Sequence, residues 1–405
     1  MVDSFAGSAE SGDGRPKTLR IEGLSVPPLA PFDEVVTNFM VERNIERASL
    51  AVSRNGRPVF ARAYTWAPIG TVPTYPTNLF RIASISKPIT AVAIMQLVEI
   101  RKIDLDRPIG SILDLADAVD PRMKTVTVRQ LLEHRGGWDS AASFDPMFHD
   151  FAIAKALGKS LPTTPTMIID YMKTRRLDFD PGTRYAYSNF GYCLLGRIIE
   201  AVTGQPYEAY VQKHLLAPIG ITDMCIGRSL LTERLPAEVN YEDPLHRVVS
   251  SVMGPGSPAK VPVPYGAWNL RTMDAHGGWV ATALDLVRFA CALDVITNSP
   301  LLRRSSIETM WARPSGESTN SSPYYAAGWS VRVVNSAGAM NTWHNGSLDG
   351  STTLLVHRWD RLNWALLFNS REAERGHRDY LNEIDPALHR AAAKVTAWPT
   401  PDLAN

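Results

Sequence analysis

Apolar positions form strand-like runs near both ends of the chain and helix-like stretches between them. The runs 48–54 and 58–64 flank Asn55-Gly56, a dipeptide typical of hairpin turns, and therefore predict two paired strands. Three later runs, 328–334, 352–357 and 363–369, also predict strands. The expected fold class is α+β, with an antiparallel sheet built from both ends of the chain and flanked by helices.

Apolar residues recur at helical spacing at 29–44, the run 89–100 is apolar nearly all round and long enough for three helical turns, and a final helix is predicted at roughly 377–395. Short helical segments alternate with proline-containing loops in between: 128–133, 167–174, 192–203 and 206–214. We therefore predict an α/β domain of residues 29–105 and 272–405, interrupted by a mostly helical insert at 106–271.

Two stretches are predicted to lack regular structure. Residues 1–28 are rich in Gly, Ser, Asp and Pro and are expected to form a flexible tail. Residues 254–265 are rich in Pro and Gly, and we expect either a loop over a cleft or a plain surface excursion.

Ser84 and Lys87 stand three residues apart at the start of the apolar helix 89–100. Pro88 is tolerated only in a first helical turn, so the helix must begin close to Ser84. Lys87 then lies on the same face as Ser84, and burial against the apolar helix should lower its pKa. The spacing indicates a nucleophile with its base, although a serine at a helix start is commonly only a cap.

Two later stretches add polar groups of the same kind. Tyr187 and Asn189 precede a helix, where the phenol can act as acid or base if a cation lowers its pKa and the amide can orient the lysine. His344, Gly346 and Ser347 begin a strand, where glycine permits a close backbone approach and the following N–H can bind an oxyanion. Each stretch also fits ordinary turn structure.

In this order along the chain, Ser-x-x-Lys, Tyr-x-Asn and His-x-Gly resemble the motifs of the penicillin-recognising serine hydrolases. The likeness is to the branch that holds class C β-lactamases, DD-peptidases and family VIII carboxylesterases, and it covers about residues 30–390. Supporting segments are 80–84, 131–137, Pro181-Gly182 and Gly277-Gly278. The resemblance implies a β-lactamase/DD-peptidase-like fold and an acyl-enzyme mechanism.

The resemblance also implies roles for single residues. Ser84 corresponds to the nucleophile, Lys87 to its proton acceptor, Tyr187 to a second acid–base group and Asn189 to an orienting amide. The backbone N–H groups of Ser84 and Ser347 correspond to the oxyanion hole. The expected substrate-binding residues are Trp138, Phe190, Trp343, Asn345 and Gly346.

The third motif departs from the β-lactamase pattern. His344 stands where those enzymes carry a lysine that helps to hold the antibiotic carboxylate. A histidine is mostly neutral at pH 7, so we expect an esterase, amidase or peptidase with weak or no β-lactamase activity. Arg371 and Arg375 are candidates for an alternative anion contact.

Composition excludes several other functions. The formal net charge of +1, without a basic or acidic block, argues against a nucleic-acid partner. Three cysteines and nine histidines without ligand spacing predict neither a metal site nor a cofactor. There is no apolar run that could span a membrane and no leader-like apolar core, which predicts a cytoplasmic protein unless a leader has been removed. The expected partner is a small ester or amide.

Two alternatives to a hydrolase stay open, one catalytic and one not. An acyltransferase on the same scaffold would use the same residues, with an alcohol or amine in place of water. A non-catalytic binding or structural protein would keep the fold without needing these residues together. An α/β-hydrolase would need a G-x-S-x-G segment, which the sequence lacks.

Overall fold

The protein is described by a computed structural model over residues 16–294, 299–319, 322–372 and 380–399. In these ranges the strands are β1 (Lys17–Glu22), β2 (Arg47–Arg54), β3 (Arg57–Pro68), β4 (Phe80–Arg81), β5 (Cys225–Ile226), β6 (Val248–Ser250), β7 (Lys260–Pro262), β8 (Trp279–Ala281), β9 (Tyr324–Tyr325), β10 (Ser330–Val333), β11 (Met340–Leu348), β12 (Ser351–His357) and β13 (Leu362–Phe368). The α-helices are α1 (Ala30–Arg43), α2 (Ser86–Glu99), α3 (Val128–Leu132), α4 (Asp150–Leu157), α5 (Pro165–Lys173), α6 (Asn189–Thr203), α7 (Tyr207–Val211), α8 (Asp274–Gly277), α9 (Ala283–Asp294), α10 (Arg304–Trp311) and α11 (Tyr380–Lys394).

The main sheet combines strands from both ends of the chain. Its order is β1-β3-β2-β13-β12-β11-β10-β9, and all neighbours are antiparallel. The β2–β3 hairpin turns at Asn55-Gly56, and Asn55 and Gly56 both have positive φ, as that dipeptide favours. The predicted antiparallel sheet with flanking helices is confirmed.

Helices cover both faces of the sheet, which explains why the central strands are apolar at nearly every position. Leu366 in β13 packs with α1 and α11, whereas Leu367 belongs to the larger core shared with α2, α6 and α9. Successive side chains of a strand point to opposite faces, so the two neighbours enter different cores. In the larger core, helices of the predicted insert pack together with residues of the main sheet.

A second, small sheet holds the segment that carries Ser84. β8 lies between β4 and β5, and it pairs antiparallel with both. β4 leads into α2 through a short 3-10 turn, and β8 follows α8. The small sheet therefore brings the start of α2 next to α8, although these segments are almost 200 residues apart in the chain.

Several sequence expectations need correction. The predicted tail of residues 1–28 contains β1, which pairs along its full length with β3 as the edge of the main sheet. Lys17 in β1 is buried and its ammonium bonds to Asn44 and Glu46, which anchors this edge. Within 254–265, residues Lys260–Pro262 form β7 and pair with β6. The domain limits at 105 and 272 stay a prediction.

Candidate active site

Ser84 lies in a tight turn between β4 and α2. The Ile82 N–H donates to the Trp279 carbonyl at 3.0 Å, which fixes the turn to the small sheet. Ala83–Ile85 form a 3-10 turn, and Ala83 has a φ of 47°, a left-handed conformation uncommon outside glycine. The turn presents Ser84 at the N-terminal end of α2, where backbone N–H groups lack helical partners.

Lys87 is fully buried one turn further on. Its Nζ lies 2.7 Å from Asn189 Oδ1, 2.9 Å from the His276 carbonyl oxygen and 3.0 Å from Ser84 Oγ. Burial lowers the pKa of Lys87 well below its usual value, against the opposing effect of the Asp145 carboxylate. In its neutral form the amine has two N–H donors and one lone pair, so with both N–H groups on the carbonyl oxygens the lone pair is left for the Ser84 hydroxyl.

Asn189 connects Lys87 to a buried carboxylate. It is the first residue of α6, whose N-terminus is capped by the Ser188 hydroxyl. While Asn189 Oδ1 accepts from Lys87, its Nδ2 donates to Asp145 Oδ2 at 2.6 Å. Burial raises the pKa of Asp145, and the Asn189 hydrogen bond opposes that rise. The amide is therefore held at both ends.

Tyr187 approaches Ser84 from the other side. Its side chain is hydrogen bonded to Ser84, and its ring centroid lies 4.7 Å from Lys87 Nζ. Burial raises the pKa of Tyr187, and the Ser84 hydrogen bond only partly offsets this. The expectation that the lysine lowers this pKa is wrong. Burial destabilises the phenolate more than the nearby polar groups stabilise it. Tyr187 is thus a protonated phenol at neutral pH.

His344 lies in the core under the site. It is only 2% exposed, and its Nδ1 donates to the Asn345 carbonyl oxygen at 2.7 Å. Its Nε2 accepts from the Tyr325 hydroxyl at 3.0 Å. Burial and the nearby Lys87 lower the pKa of His344 to about 3, so the imidazole is neutral, as the sequence predicted for pH 7. His344 does not border the cavity described below.

Gly346 lets β11 approach the Ser84 turn. A Cβ at this position would lie 2.3 Å from the Ile82 carbonyl oxygen and 3.1 Å from the Ala83 Cβ. Any side chain would therefore push the strand away. The approach puts Ser347, the next residue, at the same cavity as Ser84.

A cavity of about 630 Å³ opens above Ser84. It is bordered by Ser84, Phe148, Tyr187, Asn189, Trp268, Asn345, Ser347, Leu348, Asp349 and Arg371. Phe148 and Trp268 pack edge to face with ring centroids 6.5 Å apart. The site thus combines an apolar wall with the hydroxyl and amide groups around Ser84.

Three aromatic residues expected in the cleft lie elsewhere. Trp138 and Phe190 are buried in the larger core and pack against each other edge to face. Trp343 packs against the α1 and α11 core, on the sheet face opposite His344, and the Arg332 guanidinium covers its ring. These three aromatic rings pack in the two hydrophobic cores. Apart from Tyr187, the aromatic residues that border the cavity are Phe148 and Trp268.

Of the two candidate anion-binding arginines, Arg371 borders the cavity. Its guanidinium lies 2.9 Å from Asp349, and Arg247 lies at the same distance from the same carboxylate oxygen. Arg371 is therefore already paired with a carboxylate. Arg375 lies outside the described residues.

Three residues near the site were not singled out as functional from the sequence: Asp145, His134 and Tyr325. Asp145 precedes a proline and caps a 3-10 turn, a common local role that gives no sign of Asn189, 44 residues away. His134 occurred only as part of a supporting segment. Tyr325 is in a two-residue strand, which carries no periodic signal.

No group of three or more potential metal-binding side chains occurs within the described residues. None of the helices in the described ranges is both long enough and apolar enough to cross a bilayer.

The Beta-lactamase family model matches residues 32–387. The chain belongs to the beta-lactamase family. This agrees with the three motifs, all of which lie inside the matched region, and with the antiparallel sheet and its helices. The family includes proteins with several names and reactions, so membership establishes a serine-hydrolase scaffold and leaves the reaction to be proposed.

Two curated relatives of this chain illustrate the range of names. The putative fimbrial assembly protein FimD, serogroup D, of Dichelobacter nodosus is 32% identical over 174 residues, which are 43% of this chain and 41% of that protein. The lovastatin esterase of Penicillium rubens is 30% identical over 260 residues, which are 59% of this chain and 60% of the esterase. The chain spans less than two thirds of the length of these relatives.

The fold is also similar to that of a solved structure. The D-amino acid amidase from Ochrobactrum anthropi SV3, complexed with L-phenylalanine amide, has a TM-score of 0.67 and 22% sequence identity. The alignment covers 91% of this chain and 99% of the amidase. At this identity the likeness concerns the fold and, together with the family match, it confirms the expected β-lactamase/DD-peptidase-like fold.

Proposed function

We propose that this protein hydrolyses small esters or amides through an acyl-enzyme on Ser84. The observation that carries the proposal is the hydrogen bonding of Lys87. Two carbonyl oxygens, from Asn189 and His276, lie 2.7 and 2.9 Å from Nζ, and Ser84 Oγ lies 3.0 Å from it. In the neutral form, which burial favours, both N–H groups can donate to the two carbonyl oxygens and the lone pair is left for the Ser84 hydroxyl. A general base needs such a lone pair, held within hydrogen-bond distance of the hydroxyl that it deprotonates.

Acylation then proceeds without a cofactor. Ser84 Oγ bonds to the substrate carbonyl carbon as its proton moves to Lys87 Nζ. The oxyanion accepts from the backbone N–H groups of Ser84 and Ser347, which both border the cavity. The new ammonium faces the two carbonyl oxygens and, beyond Asn189, the Asp145 carboxylate, which stabilise its charge as it develops.

Tyr187 passes the proton to the leaving group. Its hydroxyl is bonded to Ser84, and its raised pKa keeps it protonated, so it donates its own proton as it receives one from the Ser84–Lys87 side. The bond between the carbonyl carbon and the leaving group then breaks, which leaves acyl-Ser84. In deacylation, water takes the place of the leaving group and the same transfers run in reverse.

The cavity favours an uncharged acyl group. Phe148, Trp268 and Leu348 give it an apolar wall, and its bordering arginine, Arg371, is paired with Asp349. His344 is buried and neutral, so it offers no cation to a carboxylate. We infer that esters and simple amides react faster than β-lactams, in line with the esterase among the relatives.

Intact-mass measurement tests the proposal. The protein is mixed with p-nitrophenyl butyrate, a penicillin and a D-amino acid amide in parallel, and the acyl adduct is located by peptide mapping. We expect an adduct on Ser84 that is absent in Ser84→Ala, with hydrolysis slowed about a thousandfold or more. Ser305→Ala, which removes an exposed hydroxyl on α10, serves as the matched control.

Two outcomes would contradict the proposal. An adduct that persists in Ser84→Ala assigns the nucleophile elsewhere, and a cephalosporin kcat/KM above that of the ester overturns the substrate inference. Added alcohols or amines complete the test. A product that carries the added acceptor, formed in preference to the free acid, identifies an acyltransferase that uses the same acyl-enzyme.

A further inference from the structure

His134 contacts the backbone on both sides of Tyr187. Its carbonyl oxygen accepts from the Ala186 N–H at 2.8 Å, and its Nδ1 accepts from the Ser188 N–H at 3.1 Å. The segment 185–188 belongs to neither a helix nor a strand, so no regular ladder of hydrogen bonds holds it. One residue thus fixes the chain immediately before and immediately after the tyrosine.

The imidazole also fixes the tyrosine ring. The ring centroid of His134 lies 4.2 Å from that of Tyr187, 4.6 Å from that of Tyr325 and 5.0 Å from that of Tyr192. His134 is 1% exposed, so these contacts are desolvated. Since the Tyr325 hydroxyl bonds to His344, the imidazole of His134 stands between the second and third motifs.

The hydrogen bonding defines the tautomer of His134. Because Nδ1 accepts from Ser188, the ring proton is on Nε2, which has no hydrogen-bond partner in the described part of the chain. Burial lowers the pKa of His134 well below its usual value, and Lys87 and His344 lower it further. The imidazole is therefore neutral and does not compete with Lys87 for the Ser84 proton.

The backbone conformation of His134 limits which residues can replace it. Its φ is 55°, in the left-handed region, and it follows Glu133, the C-cap residue of α3. Glycine or asparagine suits such a position best, since histidine has a Cβ that crowds the backbone. A left-handed residue is common just past a helix C-terminus, so any replacement for His134 must tolerate this conformation.

We propose that His134 is a positioning residue that holds the Tyr187 hydroxyl against Ser84. This inference rests on the proposed function, because it assigns His134 a role through Tyr187. It adds a third contributor to proton transfer that touches neither the substrate nor the reacting atoms.

Two variants separate the hydrogen bond from the backbone conformation. Asparagine and glycine both tolerate a φ of 55°, but only asparagine offers an oxygen that can replace Nδ1 as acceptor. With p-nitrophenyl butyrate, we expect His134→Gly to lower kcat about thirtyfold with KM changed less than threefold. His134→Asn should stay within about fivefold of the parent protein. Thermal melting of each variant shows whether it is folded.

The same substitutions in Tyr187→Phe test whether the effect passes through the tyrosine. Without the hydroxyl there is nothing left to position, so His134→Gly should change kcat by less than about threefold in that background. An equal fall in both backgrounds, or equal falls for glycine and asparagine, overturns the proposal and makes His134 a residue of general stability.

Nitrogen NMR of the histidine-labelled parent protein tests the proposal even if His134→Gly does not fold. The proposal requires a neutral His134 with its proton on Nε2 and a hydrogen bond at Nδ1, assigned by the loss of that signal in His134→Asn. A proton on Nδ1 contradicts it. Failure of the proposed function would appear separately, as the absence of an acyl adduct on Ser84 in the unmodified protein.

Discussion

The two sides of Ser84 are both desolvated, yet desolvation has opposite effects on them. On one side, burial lowers the pKa of Lys87 and so favours its neutral, basic form. On the other, burial raises the pKa of Tyr187 and keeps it a neutral acid. Burial always disfavours the charged form, so one environment produces a proton acceptor and a proton donor from two different residue types.

The residues around Lys87 and those around Tyr187 also differ in their chemistry. The lysine side is lined with oxygen atoms, from Asn189, the His276 carbonyl and, behind them, Asp145. These oxygens stabilise a transient ammonium. The tyrosine side is lined with rings, those of His134 and Tyr325, which fix a phenol without stabilising a charge. The comparison implies that charge develops on the lysine side only.

The strongest test of this contrast replaces the lysine. Lys87→Met keeps the approximate shape and removes the lone pair, so we expect kcat/KM to fall about a thousandfold or more. Lys87→Arg keeps a permanent cation without a basic lone pair, and it should be as inactive as Lys87→Met. Ester hydrolysis rates and circular-dichroism melts provide the measurement. An active arginine variant would mean that the site needs the charge and not the base.

Removing the donor on the other side should cost less. Tyr187→Phe keeps the ring, and its packing against His134 persists, while the hydroxyl is lost. We expect kcat to fall about a hundredfold. In the double mutant with Lys87→Met, activity should match the lysine single mutant within a few-fold, because both groups serve one proton path. Losses that multiply would show that the two sides act independently.

The sequence identified the parts of the site that follow from local spacing. Ser84 and Lys87 meet because they lie three residues apart at a helix start, and Asn189 is oriented by the first turn of its own helix. The apolar, strand-like runs likewise predicted the central strands β2, β12 and β13. In each case the deciding contacts are short in sequence.

Contacts between distant segments could not be predicted in the same way. Asp145 meets Asn189 across 44 residues, and His134 meets Ser188 across 54. The strand β11 shows a subtler problem: Trp343 and His344 are adjacent, so they must point to opposite faces, and the pattern alone does not say which face holds the site. β1 was missed because its flanking residues resemble a mobile tail.

Asp145 allows the lysine side to be adjusted without being destroyed. Its carboxylate raises the pKa of Lys87, in opposition to burial, so Asp145→Asn should lower that pKa further. The base is active when neutral, and the rising limb of the rate against pH should therefore move to lower pH. We expect the plateau of kcat to fall about tenfold, because the hold on Asn189 weakens.

A pH–rate profile of the same variant provides the measurement. Tyr187→Phe is the matched control, since it removes a donor on the other side of Ser84 and should leave the position of the limb unchanged. A limb that moves to higher pH in Asp145→Asn would contradict the assigned electrostatics.

The last prediction concerns stability, not catalysis, and the histidine beneath the tyrosine side. The pKa of His344 is about 3 in the folded protein and near 6.5 when unfolded. Below pH 6.5 the unfolded chain therefore binds a proton that the folded protein refuses, and stability falls as the pH drops towards 3. His344→Gln cannot bind this proton, so its free energy of unfolding should depend less on pH, by about 1.4 kcal/mol per pH unit between pH 4 and 6. Urea unfolding at several pH values measures the slope.

His389→Gln, whose parent imidazole is half-buried and has a pKa lowered only to about 4, is the control and should show a similar reduction that ends at higher pH. Equal slopes for the parent protein and His344→Gln would mean that His344 takes up its proton as readily in the folded protein as in the unfolded chain, and the tyrosine side would then carry a positive charge at acidic pH.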